Sequence, residues 1–254
     1  MNSKAPHPVK STQTSFRIIE VLAQSGALGV TEVANQLDVT KGAVHNHLAT
    51  LRDLGYVRKR AGNYELALRF LYVGERARNH LDIYRHTKSA IDNLAQTTGE
   101  VAGLYIEENR YATCAYFQTG SERQVPFIVT GERTPLHACA AGKAILACFP
   151  DERIERLLFD RELHALTDET ITDPDRLEVQ IRRVQDDRVA FSRSERADGI
   201  NEVAVPIRGR DRIPLGAISV VGSDDQLSGR HFEEDITGQV LSTAKQIEVA
   251  LSSQ

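Results

Sequence analysis

The chain has 254 residues, 41% of them apolar, enough for the core of one large domain or two smaller ones. Its net charge of −4 conceals a division: residues 1–80 carry 11 Lys/Arg against 6 Asp/Glu, whereas residues 81–254 carry 20 against 29. No apolar run reaches membrane-spanning length, and three cysteines without CxxC spacing point away from a disulfide framework and a thiolate zinc site.

The opening MNSKAPHPVKSTQTS lacks the apolar run of a signal peptide and reads as a loose arm. A cytoplasmic protein with reduced thiols is expected, in which only the basic first part meets a polyanion. TSFRIIEVLAQSG then places Phe16, Ile18, Ile19, Leu22 and Ala23 on a first helix stopped by Gly26. TEVANQLDV predicts a second, short helix with Thr31 as N-cap and Val33, Ala34 and Leu37 facing inward. After a turn at Asp38-Val39, Thr40 caps a third helix whose apolar stripe is Val44, Leu48, Leu51 and Leu54, with Gly55 as its stop.

Three short helices with a tight turn between the last two form a helix-turn-helix pattern. The third helix is then the element that enters a major groove. Opposite its apolar stripe stand Lys41, Gly42, Ala43, His45 and Asn46, with Arg52 further along. Asn pairs bidentately with adenine, Lys reaches guanine or phosphate, and the small Gly42 and Ala43 permit close approach. The period next changes to two short extended runs, YVRKR and NYELA, around Ala61-Gly62. Arg58, Lys59 and Arg60 lie at the tip of this wing, where cations suit phosphate contact. A solvated basic hairpin is the plainer alternative for the wing alone; the order of the elements favours a winged helix.

Residues 67–98 are nearly continuous helix formers without proline, with Leu81, Tyr84, Ile91 and Leu94 on one face and Gly99 as terminator. Periodicity leaves open whether this connector supports a dimer or packs on its own domain. From residue 100 the pattern turns to strands: VAGLYI, RYATCAYF and QVPFIV, with a first turn at Glu107-Glu108-Asn109. Helices follow at 141–148, 151–159 and 175–187, strands at about 188–194, 202–207 and 215–221, and a last helix at about 231–251. The division expected is a winged helix-turn-helix over 11–70, a connector helix over 71–98 and an α+β domain over 99–254.

TPLHACAAGKA contains Gly142-Lys143 but fails the phosphate-loop pattern, with His137 and Ala144 where Gly and Ser/Thr are required. His137 and Cys139 are two metal-capable residues without further ligands, and as a nucleophile pair they lack a framing elbow. No metal or cofactor is expected. The segment 131–143 reads better as a small-residue loop whose backbone donors face an anionic ligand. Glu195, Asn201, Glu202 and Ser219, near strand edges, supply polar groups to a small-molecule pocket.

The chain resembles the IclR family of transcriptional regulators from about Thr14 to Leu251. The resemblance is carried by VTEVANQLDVTKGAVHNHLATLRDLGYVRKRAGNYEL, GERTPLHACAAGKAILACFP, RVAFSRSERADGINEVAVPI and LGAISVVG. It implies a homodimer or tetramer, a winged helix on a double-stranded DNA operator, and a GAF-like domain binding a small metabolite. It also implies a pocket lined by Leu136, His137, Ala138, Cys139 and Ala140, by Ser192 and Glu195, by Asn201 and Glu202, and by Ser219. Members act as repressors, activators or both, often on carbon-source catabolism.

Two departures stand out. The recognition helix opens Thr40-Lys41-Gly42-Ala43, with Asn46 where the family usually has Arg. Glu202 stands where Cys is usual, and Cys139 where Thr is usual. An acidic Glu202 repels a carboxylate unless it is protonated or paired, which favours a sugar, polyol or lactone. The readings left open are a metabolite-controlled regulator, a hydrolase or transferase using Cys139 and His137, and a constitutive DNA-binding protein with a vestigial pocket.

Overall fold

The computed structural model describes residues 7–121, 128–160, 162–210 and 213–252. The chain divides into two compact units, Met1–His80 and Leu81–Gln254. The division falls where the balance of charge changes sign.

The first unit holds α1 (Lys10–Ser25), α2 (Val30–Leu37), α3 (Lys41–Asp53), the hairpin strands β1 (Val57–Arg60) and β2 (Asn63–Leu66), and α4 (Arg69–Asn79). Ile18 and Leu22 of α1, Val33, Ala34 and Leu37 of α2, and Val44, Leu48 and Leu51 of α3 close one core with Val57 and Tyr64. Asp38 adopts a left-handed conformation at the end of α2, which turns the chain. Thr40 Oγ1 then accepts from the Ala43 amide at 3.3 Å and starts α3. Ala61 and Gly62, both at positive φ, form the two-residue loop that suits the twist of a hairpin. Leu28 exchanges two backbone hydrogen bonds with Tyr64, at 3.0 and 2.7 Å, tying the wing to the helices.

Several expectations shift here. Helix α1 begins at Lys10, inside the segment read as an arm. Phe16 is 58% exposed and Ala23 is exposed, because the buried pair Ile18 and Leu22 sets the face, and residues one or two positions away point elsewhere at 100° per residue. Leu54 is 56% exposed because α3 has already ended at Asp53. Thr31 is not the cap of α2: the cap is Gly29, whose amide donates to Glu32 Oε2 at 2.7 Å. The connector is two helices, broken at His80 and Leu81. The ring of Phe70, in α4, lies 5.0 Å from that of Tyr56 in the first unit, while the second helix, α5 (Asp82–Thr98), belongs to the other unit.

The second unit is built on one six-stranded antiparallel sheet, in spatial order β5-β4-β3-β8-β7-β6. Its strands are β3 (Val101–Glu108), β4 (Tyr111–Thr119), β5 (Arg133–Pro135), β6 (Ala190–Arg193), β7 (Ile200–Arg208) and β8 (Pro214–Ser223). Helix α5 and the terminal α9 (Thr237–Ser252) cover one face, where Ile91, Leu94, Val240 and Ile247 meet Leu104, Val203, Val205, Ile218 and Val220. Helices α6 (Ala140–Leu146), α7 (Asp151–Phe159) and α8 (Pro174–Asp187) cover the other. Strands covered on both faces lose the apolar–polar alternation of a half-exposed sheet, hence the continuous runs VAGLYI and VAVPI.

The first turn of the sheet sits at Asn109 and Arg110, both at positive φ, just beyond the expected Glu107-Glu108-Asn109. Of the run 124–129, residues 124–127 lie outside the described residues, and Ile128 and Val129 are in no strand. The last helix is entered through a wider turn, His231–Ile236. Among the described residues no helix is long and apolar enough to cross a membrane.

Leu48 is fully buried at the centre of the first unit's core. Leu48→Ala is expected to destabilise that unit by about 2–5 kcal/mol through lost burial and a residual cavity. Chemical denaturation followed by circular dichroism reads this out, and a loss below about 1 kcal/mol would contradict the packing described.

Candidate functional site

On the first unit, the side of α3 away from the core presents Lys41, Gly42, His45 and Asn46 to solvent, with Ala43 half-buried. Among the described residues the side chains of Lys41, His45 and Asn46 make no hydrogen bond or ion pair, so their polar groups are available to an incoming surface. His47, one position on, is turned inward and hydrogen-bonds Ser15 Oγ through Nδ1 at 2.8 Å. Arg52 lies 3.6 Å from Asp53, with both side chains exposed. In the wing, Arg58 pairs with Glu65 at 2.9 Å and the Lys59 ammonium sits 5.2 Å from the centre of the Tyr64 ring. Arg60 stands at the strand end beside the loop. Thr31 is exposed in the first turn of α2.

On the second unit, the sheet face under α6 is built of small residues: Gly103, Ala112, Cys114, Ala204 and Ala217. Opposite them α6 reads AAGKAIL, every residue buried. Gly142 is required here, because a Cβ would lie 2.2 Å from the Leu136 carbonyl oxygen. Such closeness sets α6 directly against the Leu136 backbone, and all five residues of Leu136–Ala140 are buried.

Polar groups collect on this same face. Glu202, 1% exposed, accepts from the Ala140 amide at 3.0 Å and from the Ala141 amide at 3.4 Å. Ser192 is its direct cross-strand partner, and Ser219 lies opposite Ala204, two residues along β7. Both serines are buried, and among the described residues neither hydroxyl has a hydrogen-bond partner. Lys143, 0% exposed, donates to Glu195 Oε1 at 2.6 Å and to Gln180 Oε1 at 3.0 Å. Burial raises the Glu195 carboxyl above its ordinary range, and the Lys143 charge opposes this. Among the described residues, Glu195 Oε2 and Arg196 Nη2 have no hydrogen-bond partner. Arg196 is buried beside Glu195, donating to the Tyr105 hydroxyl at 3.2 Å and lying 3.1 Å from Glu132. A cleft of about 360 Å³ between α8 and β6 reaches Lys143 and Glu195 from outside.

The structure thus brings together Leu136, Ala138, Cys139, Ala140, Ser192, Glu195, Glu202 and Ser219. It separates Asn201 from them. Successive strand residues alternate, so Asn201 faces the α5–α9 side, where its amide donates to the Leu227 carbonyl at 2.7 Å. His137 Nε2 lies 2.9 Å from the His164 carbonyl oxygen, and burial lowers its pKa, so a neutral ring donates there. Cys139 caps α6, accepting from the Gly142 amide at 3.3 Å, and burial with the nearby Glu202 charge pushes its thiol up to about 12. A thiol so protonated and an imidazole so engaged are not a nucleophile and its base, and the hydrolase or transferase reading is set aside. The backbone donors expected to face a ligand anion are occupied instead by Glu202.

Lys143, Arg196 and Tyr105 were not among the expected site residues. Lys143 had a readable signal, a single charge inside the apolar run ACAAGKAILA, which must find a counter-charge if the helix is buried. Arg196, in the polar stretch SRSERADG, had none.

A winged helix ahead of an antiparallel sheet domain with a buried polar cluster is the build of a DNA-binding regulator with a ligand-sensing module. Residues 11–61 match the IclR helix-turn-helix domain, and residues 75–249 match the model described as bacterial transcriptional regulator IclR C-terminal. The chain belongs to the IclR family of transcriptional regulators, a family of non-catalytic regulators. It is 32% identical to the probable HTH-type transcriptional regulator ArcR of Halobacterium salinarum, over 99% of this chain and 97% of that protein. It is 30% identical to the glycerol operon regulatory protein of Streptomyces coelicolor, over 86% and 87%. Among solved structures, a putative transcriptional regulator from Rhodococcus sp. RHA1 shares the fold with a TM-score of 0.83 at 24% identity, over 96% of this chain and 98% of that one.

Breaking a buried ion pair from one side leaves an uncompensated charge. Lys143→Met is expected to cost the second unit about 3–5 kcal/mol, and adding Glu195→Gln to recover part of that loss. Equilibrium denaturation of the wild type and the two variants forms the test; a double variant no more stable than Lys143→Met would show that the pair is not the source of the cost.

Proposed function

We propose that the chain binds an operator through α3 and the wing, and that a small metabolite held between α6 and the sheet alters that binding. The observation that carries the first half is the two-sided α3: Val44, Leu48 and Leu51 are locked in the core while Lys41, His45 and Asn46 face solvent unpaired. In this reading Lys41 and Asn46 reach base edges, Gly42 and Ala43 let the backbone approach, and Arg52, Arg58, Lys59 and Arg60 contact phosphate. The GAF-like assignment of the second unit agrees with helices on both faces of an antiparallel sheet. The buried, unpartnered polar atoms there are the reason to place a ligand in it.

The regulated genes in this reading are those of a carbon-source catabolic operon, as the name of the Streptomyces relative says of that protein. A homo-oligomer is part of this reading, supported by α4, which buries no residue of its own and exposes Leu71, Tyr72 and Val73 next to its exposed N-cap Leu68. Control requires the ligand to bind the DNA-competent and incompetent states unequally, by about 1–3 kcal/mol. Operator binding of the full chain, measured by fluorescence anisotropy with and without each metabolite that raises its melting temperature, tests the coupled reading. Ligands that stabilise the protein yet leave DNA affinity unchanged at saturation would overturn it.

Replacing Arg58, Lys59 and Arg60 together by Ala is expected to weaken all DNA sequences alike. The dependence of log affinity on log salt should fall by about 0.9 for each phosphate that the wing no longer neutralises. Because Arg58 is partly neutralised by Glu65, the slope should fall by less than three full phosphates would give. An unchanged slope would remove the wing from the interface.

Asn46→Ala should act differently, costing about 1–3 kcal/mol on the cognate site and less on random DNA if Asn46 pairs with adenine. Competition binding between the two DNAs reads the difference. Equal losses on both would reassign Asn46 to the backbone.

A further inference from the structure

The ligand class follows from which polar groups in the α6 site are already answered within the chain. Glu202 takes both amides of the turn, Ala140 and Ala141. Lys143 is held by Glu195 and Gln180. Arg196 is held by Tyr105 and faces Glu132. Both cations are already ion-paired and both amides are taken, so an incoming carboxylate would compete with Glu132 for Arg196 and meet the charges of Glu202 and Glu195. A buried anion without such partners is strongly disfavoured.

Among the described residues, four buried polar atoms of this face and its flanking loop have no hydrogen-bond partner: the hydroxyls of Ser192 and Ser219, Oε2 of Glu195, and Nη2 of Arg196, whose charge faces Glu132 at 3.1 Å. A serine hydroxyl donates one hydrogen bond and accepts two, and an ionised carboxylate oxygen only accepts. The complement of this set is a neutral molecule bearing several hydroxyl groups.

Building on the sensor reading above, we propose that this chain takes a neutral polyhydroxylated ligand, a polyol or sugar, and that Glu202 selects it by standing where a ligand carboxylate would otherwise bind. Like-charge repulsion alone would only discourage acids. Occupation of the two amides removes the donors an acid would need.

The test uses matched alcohol–acid pairs that differ only in CH₂OH against COO⁻: glycerol and glycerate, xylitol and xylonate, sorbitol and gluconate. Binding to the full-length protein is measured by calorimetry and thermal shift. In at least one pair the alcohol is expected to bind about tenfold or more tightly than the acid, a difference of about 1.4 kcal/mol. Glu202→Ala, which frees the amides of Ala140 and Ala141, is expected to shift the preference of that pair toward the acid. Ser219→Ala changes no charge and covers the case in which Glu202→Ala fails to fold; it should weaken the alcohol about tenfold.

Acids binding the wild type as tightly as their alcohols, with that binding lost in Ser219→Ala, would overturn the ligand class and leave the pocket in place. Alcohol binding that neither Glu202→Ala nor Ser219→Ala alters would place the ligand elsewhere. No binding by any of the six probes to the wild type would overturn the class as proposed. Should other metabolites then shift operator binding, the sensor reading would stand without it.

Discussion

Lys143 brings a full charge into a helix whose seven residues are all buried, and the arrangement around the second unit's site answers that charge. Desolvating an ammonium group costs several kcal/mol, which only close partners can offset. Glu195 supplies the counter-charge at 2.6 Å and Gln180 an oxygen at 3.0 Å. Glu195 is in turn fixed by its backbone: the hydroxyl of Thr170 donates to its carbonyl at 2.7 Å, and that of Thr167 to the Ser194 carbonyl at 2.7 Å. One ammonium group, through an ion pair and a hydrogen bond, therefore fastens α6 to the loop between β6 and β7 and to α8.

That fastening gives the small-residue face its use. Gly103, Ala204, Ala217 and Cys114 let α6 approach the sheet closely, and close approach is what makes each buried polar atom costly unless it is matched. Glu202 meets the cost through two amides of the same chain. Among the described residues, the buried hydroxyls of Ser192 and Ser219 have no such partner.

The first unit follows a different logic. Its polar groups are at the surface, where water solvates them and salt screens them, so each contributes little to folding. Lys41, His45 and Asn46 cost almost nothing to hold exposed and remain free for contact. Stability comes instead from a small core and from local closures, the Thr40 cap, the Leu28–Tyr64 bridge and the two-residue hairpin loop. A polyanion is met by such open, screened charge, whereas a small neutral molecule is better met by a few desolvated groups.

The amino-acid sequence by itself determined what depends on neighbours along the chain: the three helices, the Thr40 cap, the wing, the helix at 151–159, the change of charge near residue 80. These rest on periodicity, on Thr40 and Gly55, and on turn chemistry, all read within a few residues. Only the tertiary structure decided what depends on residues far apart. It put Asn201 on the opposite face of β7 from Glu202, because strand alternation relative to the core is set by the partner layers. It ended the stripe of α3 before Leu54, and it joined Lys143 to Glu195 across 52 positions. It also filled with Glu202 the backbone donors that local reading left open to a ligand. A side chain 62 residues away from an amide carries no local mark of the bond it will make, and only packing of α6 onto the sheet creates it.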